Sequence, residues 1–342
     1  MGATPLLVAV YGHAQCFGID YYWTNSLGGN WNNAANWFPN GVPGGNACDT
    51  ATIGFPGTYT VVLNSSNVTI YALTIGFMSG THTLVITNSG SLTVTGGAFV
   101  DTNGILDLSG GVLDQGTNSV VAGVFNWAGG TLGGAGPVTV VTNGLLQILT
   151  ASSNLLGTTV LNYGTTTWTN STANLYFSRQ LPAAVFVNEP GGVFENRNGP
   201  AMTFAGGLTT PPASAGFYNN GLFRKVGGNG TSTRIQVPFS NGGTILPLRG
   251  NLAFNNILTL AASSVLQFPI SGIQPGTNFG TITVAPASSV LAALGMPGSV
   301  QWAGTLIVGP TNGFQPALGN TFSLMTFGMK ESGFDTGFLA GL

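Results

Sequence analysis

The sequence contains very few charged residues. Seven of its 342 residues are Lys or Arg and nine are Asp or Glu, which gives a formal net charge of −2. So small a charge creates no field that would attract nucleic acid or an anionic lipid surface. Nucleic acid is therefore excluded as a partner, and solubility has to come from Asn, Thr, Ser, Gln and exposed backbone.

Long apolar runs are also missing. No run approaches the 18 or more residues of a membrane helix, so no transmembrane segment is predicted. The longest candidate is LLVAVY near the start, followed by Gly12-His13-Ala14, a site of the small-x-small kind that signal peptidase cuts. A basic n-region is absent, so an ordinary first strand stays an alternative. We favour a signal-peptide remnant at 1–14 and a secreted, extracellular or cell-surface location.

Cysteine and histidine are too scarce for a metal site. The two cysteines, Cys16 and Cys48, and the two histidines, His13 and His82, have no metal-ligand spacing. The sequence therefore predicts no metal and no cofactor. In an oxidising compartment the cysteines would close a loop of roughly 30 residues and stabilise the fold. A structural disulfide is favoured, although sequence alone does not give the pairing geometry.

Helical periodicity is nearly absent, and short strands take its place. Apolar and polar residues alternate in TYTVVL (58–63), TLVITN (83–88), SLTVTG (91–96) and TITVAP (281–286), each rich in β-branched residues. Alternation with a period of two is typical of β-strands. The fold class predicted is all-β.

Asn-Gly turns recur along the chain, each directly before an apolar strand. Their spacing gives a unit of about 20 residues with insertions in some copies, and a fixed period of this size indicates a solenoid of stacked parallel strands. We expect the Asn-Gly steps to turn each corner through a left-handed φ. A β-sandwich is the alternative, with turns every 8–12 residues. The turns are Thr102-Asn103-Gly104, Thr142-Asn143-Gly144, Asn162-Tyr163-Gly164, Asn219-Asn220-Gly221 and Asn241-Gly242-Gly243.

Three segments follow the possible signal remnant. Residues 15–70 are predicted to cap the N-terminal end of the solenoid, residues 71–265 to form its repeating units, and residues 266–342 to form a distinct β-rich C-terminal segment. The cap contains Trp23, Trp31 and Trp37. Buried aromatic rings would cover the exposed strand edge of the first unit, whereas exposed rings would make a sugar-stacking platform.

Three stretches resemble the autotransporter-like β-helix repeat proteins that Verrucomicrobia and Planctomycetes secrete. They are GGNWNNAANW with VPGGNACDTATI and GTYTVVL (28–63), FYNNGLFRKVGGNGTSTRIQVPFSNGGTILPLRGNLAF (217–254) and AGTLIVGPTNGFQPALGNTFSLMTFGMKESGF (303–334). The resemblance implies a right-handed parallel β-helix and export. It does not imply any particular enzymatic activity. Relatives usually continue into a surface-sorting tail or a membrane barrel, so we expect this chain to be a fragment.

Charges of both signs concentrate between residues 179 and 249. Glu195 and Arg197 lie one lengthened repeat unit before the adjacent pair Arg224 and Lys225. Stacked units would place these four residues on one face. A surface salt-bridge ladder worth under about 1 kcal/mol per pair is one interpretation, and a groove for an acidic glycan is the other. Asp101, Asp107 and Asp114 offer a weaker alternative, a shared Ca²⁺.

No catalytic motif occurs in the sequence. We find no G-x-S-x-G, H-E-x-x-H, phosphate loop or dinucleotide fingerprint. The function predicted is that of an extracellular structural or adhesive β-helix without catalysis. A carbohydrate-binding module or passenger is the alternative, and a polysaccharide lyase or glycosidase a more distant one. Extracellular polysaccharide and self-association are the partners considered.

Overall fold

A computed structural model describes residues 16–149, 153–169, 172–180, 182–206, 210–227, 231–284, 300–301 and 303–327. Within these ranges the chain forms β-strands, connecting turns and one short 3₁₀ turn at Ala34–Asn36. None of the described segments is a helix with the length and hydrophobicity that crossing a membrane requires. The predicted all-β fold class is therefore confirmed, and the predicted signal remnant at 1–14 lies outside the described residues.

The chain runs repeatedly through three sheets, and we call each circuit a pass. Sheet 1 receives a strand from each successive pass. It is 13-stranded, and all of its neighbouring strands pair in parallel except Asp20–Trp23 with Trp37–Phe38, which are antiparallel. Its strands are Asp20–Trp23, Trp37–Phe38, Thr50–Ile53, Ala72–Ile75, Ala98–Val100, Ser119–Val121, Val138–Val140, Thr159–Asn162, Val185–Asn188, Gly216–Asn219, Phe239–Asn241, Leu258–Leu260 and Val300–Gln301.

Sheet 2 is likewise parallel and contains the strand that follows each strand of sheet 1 other than Trp37–Phe38. Its members pair in the order in which they occur in the sequence, so each pass adds a strand beside the previous one. They are Gly29–Asn30, Tyr59–Leu63, His82–Thr87, Gly104–Gln115, Val124–Gly134, Leu145–Ile148, Thr165–Trp168, Val193–Asn196, Leu222–Lys225, Thr244–Pro247, Val265–Ile270 and Thr305–Pro310.

Sheet 3 completes each pass before the chain returns to sheet 1. Two long strands, Gly104–Gln115 and Val124–Gly134, run through both sheet 2 and sheet 3 and join them, with a register shift beside Ser109. The remaining strands of sheet 3 are Val68–Ile70, Ser91–Val94, Asn154–Leu156, Leu175–Phe177, Ala201–Phe204, Ser232–Ile235, Asn251–Phe254, Thr281–Val284 and Met325–Phe327.

Strand pairing shows that the passes differ in length. Ile105 lies opposite Val124, so this pass is close to the predicted repeat unit, whereas Val193 lies opposite Leu222, so that pass is about half as long again. The extra residues are accommodated between strands, and the strands keep their register. Pairing also continues across residues 71 and 265, the segment boundaries that the sequence suggested, because strands on both sides join the same three sheets.

The core lies between the sheets and consists of alternate side chains from each strand. Phe186, Phe217 and Phe239 occupy equivalent positions in sheet 1, and their rings stack with centroids 5.0 Å apart. Phe194 and Phe223 form a second stack from sheet 2, with centroids 5.1 Å apart. Parallel strands lie about 4.8 Å apart, so identical residues in register stack naturally, and the two columns meet edge to face.

Four asparagines at the turns that follow sheet 1 strands point into the protein. Asn162, Asn188, Asn219 and Asn241 are completely buried at the ends of successive sheet 1 strands. The side-chain amides of the first three donate to the Oδ1 of the next asparagine, at 2.7, 2.8 and 2.6 Å. We call this row the asparagine ladder. Within the ladder, the amides satisfy the Oδ1 atoms of Asn188, Asn219 and Asn241, and they also donate to backbone carbonyls that begin sheet 2 strands.

The glycines of these turns do not have the conformation that we expected. Gly164, Gly192, Gly221 and Gly243 all lack a positive φ, so the prediction of a left-handed corner was wrong. A Cβ at any of them would lie 2.2–2.4 Å from a carbonyl oxygen of the preceding pass. Glycine is required there because neighbouring backbones approach too closely for any side chain.

The N-terminal region is closed by aromatic residues and a disulfide. Trp23, Trp31 and Trp37 are at most 2 % exposed and contact one another edge to face, with Trp37 between the other two. Buried rings of this kind cover the first strands and present no platform on which a sugar would stack. Cys16 and Cys48 form a disulfide bond that joins the start of the described chain to the turn before Thr50–Ile53.

Candidate functional site

Three of the four predicted site residues form an ion cluster on sheet 2. Strands Val193–Asn196 and Leu222–Lys225 are neighbours, and Glu195 lies directly opposite Arg224. Glu195 Oε1 accepts a hydrogen bond from Arg197 Nε at 2.5 Å, and Glu195 Oε2 is paired with the Arg224 guanidinium. The carboxylate is buried, whereas the side chains of Arg197 and Arg224 are 53 % and 37 % exposed.

The two guanidinium groups keep Glu195 ionised. Burial alone would raise the pKa of this carboxyl group, but the hydrogen bonds and positive charges of Arg197 and Arg224 outweigh it and hold the pKa below its usual range. A carboxylate with both oxygens engaged is a poor proton donor. The cluster therefore presents two partly exposed cations held by one buried anion.

Lys225, the fourth predicted site residue, lies inside the protein. Its side chain is completely buried, in the column that also contains Trp168 and Asn196. The amine donates to Thr233 Oγ1 at 2.9 Å, and Asn196 Nδ2 lies 3.2 Å from the same oxygen. Burial lowers the pKa of Lys225 to about 8. The structure thus separates the neighbours Arg224 and Lys225, which point to opposite faces of one strand, and Lys225 is not available to a surface ligand.

The three aspartates weighed as a calcium site have separate environments. Asp101 lies in a turn and accepts from the Thr102 backbone N–H at 2.7 Å. Asp107 lies in the sheet 2 half of Gly104–Gln115, and its Oδ1 accepts from Ser109 Oγ at 2.5 Å. Asp114 lies in the sheet 3 half of the same strand, where burial raises its pKa. Within the described part of the chain, no three His, Cys, Asp or Glu residues are grouped as metal ligands.

A cleft farther along sheet 2 was not singled out from the sequence. It has a volume of about 270 Å³ and contains Arg249, which the sequence showed only as part of the charged region. The sequence pointed to this cleft only through its charge distribution. Between residues 196 and 329 no Asp or Glu occurs, whereas five Lys or Arg residues do. The lining residues are Leu248, Arg249, Pro269, Ser271, Asn278, Thr311 and Asn312.

Comparisons with protein families, with curated proteins and with solved structures each found no match. The chain's own geometry is therefore the basis for its proposed function.

Proposed function

We propose that the chain is a right-handed parallel β-helix that acts outside the cell or on its surface as a structural or adhesive rod without catalytic activity. The observation that carries this proposal is the continuous parallel pairing of the three sheets, in which successive passes of the chain add neighbouring strands to each sheet. Parallel strands joined by crossover connections are right-handed in about 98 % of cases. Such a stack extends in one direction, so it suits a spacer or an adhesive stalk.

Two features support an extracellular location. The Cys16–Cys48 disulfide persists in oxidising compartments and is rare in the cytosol. The charge-poor, Thr- and Asn-rich composition and the resemblance to secreted autotransporter-like repeat proteins agree with export.

The ion cluster supports the non-catalytic part of the proposal. Glycoside hydrolysis needs two carboxyl groups on either side of the scissile bond. In the cluster, Glu195 is the one carboxylate, and both of its oxygens are bound by arginines. The partly exposed Arg197 and Arg224 can instead attract an anionic polymer electrostatically.

A carbohydrate-binding module is the second candidate function. It is favoured by the partly exposed guanidinium groups of Arg197 and Arg224, which are suited to carboxylates and sulfates. Self-association is a further proposal, supported by exposed apolar side chains near the N-terminal end, among them Phe17, Leu27, Phe38 and Phe77.

One experiment separates these functions. The purified chain is incubated with neutral and acidic polysaccharides, and both its retention on each polymer and the release of new chain ends are measured. A structural or adhesive rod releases no ends from any polymer. Release of ends by the wild-type chain would contradict the proposal and establish an enzyme, while retention without release would favour the carbohydrate-binding function.

A further inference from the structure

The cleft at Arg249 lies where three successive passes of the chain leave sheet 2. Leu248 and Arg249 follow the strand Thr244–Pro247, Pro269 and Ser271 lie at the end of Val265–Ile270, and Thr311 and Asn312 follow Thr305–Pro310. Asn278 closes the cleft from the loop before Thr281–Val284. The walls therefore come from consecutive strands of one sheet, which hold them at fixed separations.

The cleft offers hydrogen-bond donors that the fold leaves unused. Within the described residues, the guanidinium of Arg249, the hydroxyl of Thr311 and the amide of Asn312 have no hydrogen-bond or ion-pair partner, and Arg249 is exposed. The side chain of Asn278 is held in place because its Oδ1 accepts from the Gln274 backbone N–H at 3.1 Å. That bond leaves its Nδ2 free. Four residues with unused donor groups thus line one space.

The charge around the cleft selects an anion. The chain has no Asp or Glu from residue 196 to residue 329, so no carboxylate of this stretch competes for Arg249. Arg197 and Arg224 are partly exposed on neighbouring passes of the same sheet. A polyanion that follows sheet 2 would meet these cations in sequence. Arginine binds carboxylates through two parallel hydrogen bonds, which adds geometric selectivity.

We propose that the Arg249 cleft binds a uronic acid residue of an acidic polysaccharide. The carboxylate pairs with Arg249, and the sugar hydroxyls and ring oxygen accept from Asn278, Thr311 and Asn312. Pockets that combine one charged residue with a few neutral polar groups are typical of small-ligand sites. The proposal rests on the carbohydrate-binding function above, because it names the sugar that such a rod would hold.

The test is the affinity of the full chain for polygalacturonate and alginate, measured by isothermal titration calorimetry. Carboxyl-reduced polygalacturonate serves as the matched neutral polymer, and carrageenan, which carries sulfate and no uronic acid, tests whether sulfate replaces carboxylate. We expect binding of at least one uronate polymer and a loss of at least tenfold on carboxyl reduction. Binding of the sulfated polymer with equal or higher affinity would overturn the assignment of a uronate.

Variants localise the site. Arg249→Gln and Thr311→Ala are expected to weaken uronate binding, with Arg249→Gln lowering the affinity at least tenfold. Arg249→Lys keeps the charge and loses the two-pronged contact, so its affinity should be intermediate. Arg234→Gln is the control, because Arg234 is also exposed but lies on sheet 3 outside the cleft. Equal losses of affinity in Arg234→Gln and Arg249→Gln would overturn the site, because they would show that the polymer is attracted by exposed positive charge wherever it lies.

Failure of this inference can be told apart from failure of the proposed function. A wild-type chain that binds neither uronate polymer and releases no chain ends overturns the Arg249 site and leaves the structural rod. A chain that binds and also releases ends overturns the non-catalytic function, while the variants still report on the cleft.

Discussion

The Lys225 amine lies inside the protein, where it has lost its water and gained a hydroxyl partner. The ordinary pKa of a lysine, 10.5, falls to about 8 at this position because burial disfavours the charged form. Below pH 8 the amine is protonated in both the folded and the unfolded chain, so the full cost of burying the charge opposes folding. Between about pH 8 and 10.5 the unfolded chain binds a proton that the folded chain has released.

This difference predicts a pH-dependent stability. The contribution of Lys225 to the free energy of unfolding should increase from pH 8 to pH 10.5. Lys225→Met, which keeps the volume and removes the charge, should be more stable than wild type at pH 7, by up to about 3 kcal/mol. Urea denaturation at pH 7, 8, 9 and 10 measures the gap, which should shrink as pH rises. A gap that stays constant over this range would contradict the explanation.

Glycines of the recurring turns are predicted to tolerate no side chain. A Cβ at residue 221 would lie 2.3 Å from the Gly192 carbonyl oxygen of the preceding pass. Gly221→Ala should therefore lower the free energy of unfolding by about 1–3 kcal/mol, the usual cost of overpacking. Gly309→Ala is the matched control, since a Cβ there meets no atom within 4 Å. Equal stabilities of the two variants in urea denaturation would show that the backbones do not approach so closely.

At the scale of the structural elements, the asparagine ladder connects the ends of four sheet 1 strands. Asn188 lies in its interior, where it accepts from Asn162 and donates to Asn219 Oδ1 and to two backbone carbonyls. Loss of such a residue leaves buried donors and acceptors without partners, and each unsatisfied group costs about 1–3 kcal/mol.

We accordingly predict that Asn188→Ala destabilises the chain by at least about 2 kcal/mol, the cost of two lost partners. Asn220→Ala is the comparison within the next turn, because Asn220 is exposed and lies outside the ladder. Asn220→Ala should change the thermal midpoint of unfolding little, whereas Asn188→Ala should lower it. Similar losses in both variants would mean that the ladder contributes nothing beyond an ordinary turn residue.

The strands were predictable from sequence because apolar and polar residues alternate along them, and this alternation indicates which side chains are buried. The repeat length could also be read, since Gly, often preceded by Asn, recurs at many of the turns that follow sheet 1 strands. The role of those residues could not be read, because it depends on contacts between successive passes, which are distant in sequence. A local pattern such as Asn-x-Gly fits a left-handed turn and a ladder with close backbone contact equally well.

The candidate site was predictable only in part, for a related reason. The pairing of Glu195 with Arg224 follows from the lengthened repeat between Gly192 and Gly221, and the sequence contains that repeat. The burial of Lys225 follows from strand alternation, which turns it away from Arg224. The Arg249 cleft required the three-dimensional placement of side chains that come from different passes with connections of unequal length, namely Asn278, Thr311 and Asn312.

At the scale of the whole molecule, the charges are divided between two regions. All Lys and Arg residues lie at position 179 or later, whereas Asp20, Asp49, Asp101, Asp107 and Asp114 all precede it. The sheets continue through both regions, so one stretch of the stack is acidic and the next is basic. An anionic polymer should therefore approach the basic stretch, where the ion cluster and the Arg249 cleft both lie.

Distances along sheet 1 test the stacked architecture most directly. Thr74, Leu161 and Thr259 lie in one column, with four strand steps between the first two and four between the last two. Spin labels on cysteines at these positions, measured in pairs by double electron–electron resonance, should give backbone separations of about 19 Å for Thr74–Leu161 and Leu161–Thr259. The outer pair should be about 38 Å apart, twice the inner distance. An outer distance no longer than the inner ones would contradict a chain that advances one strand per pass.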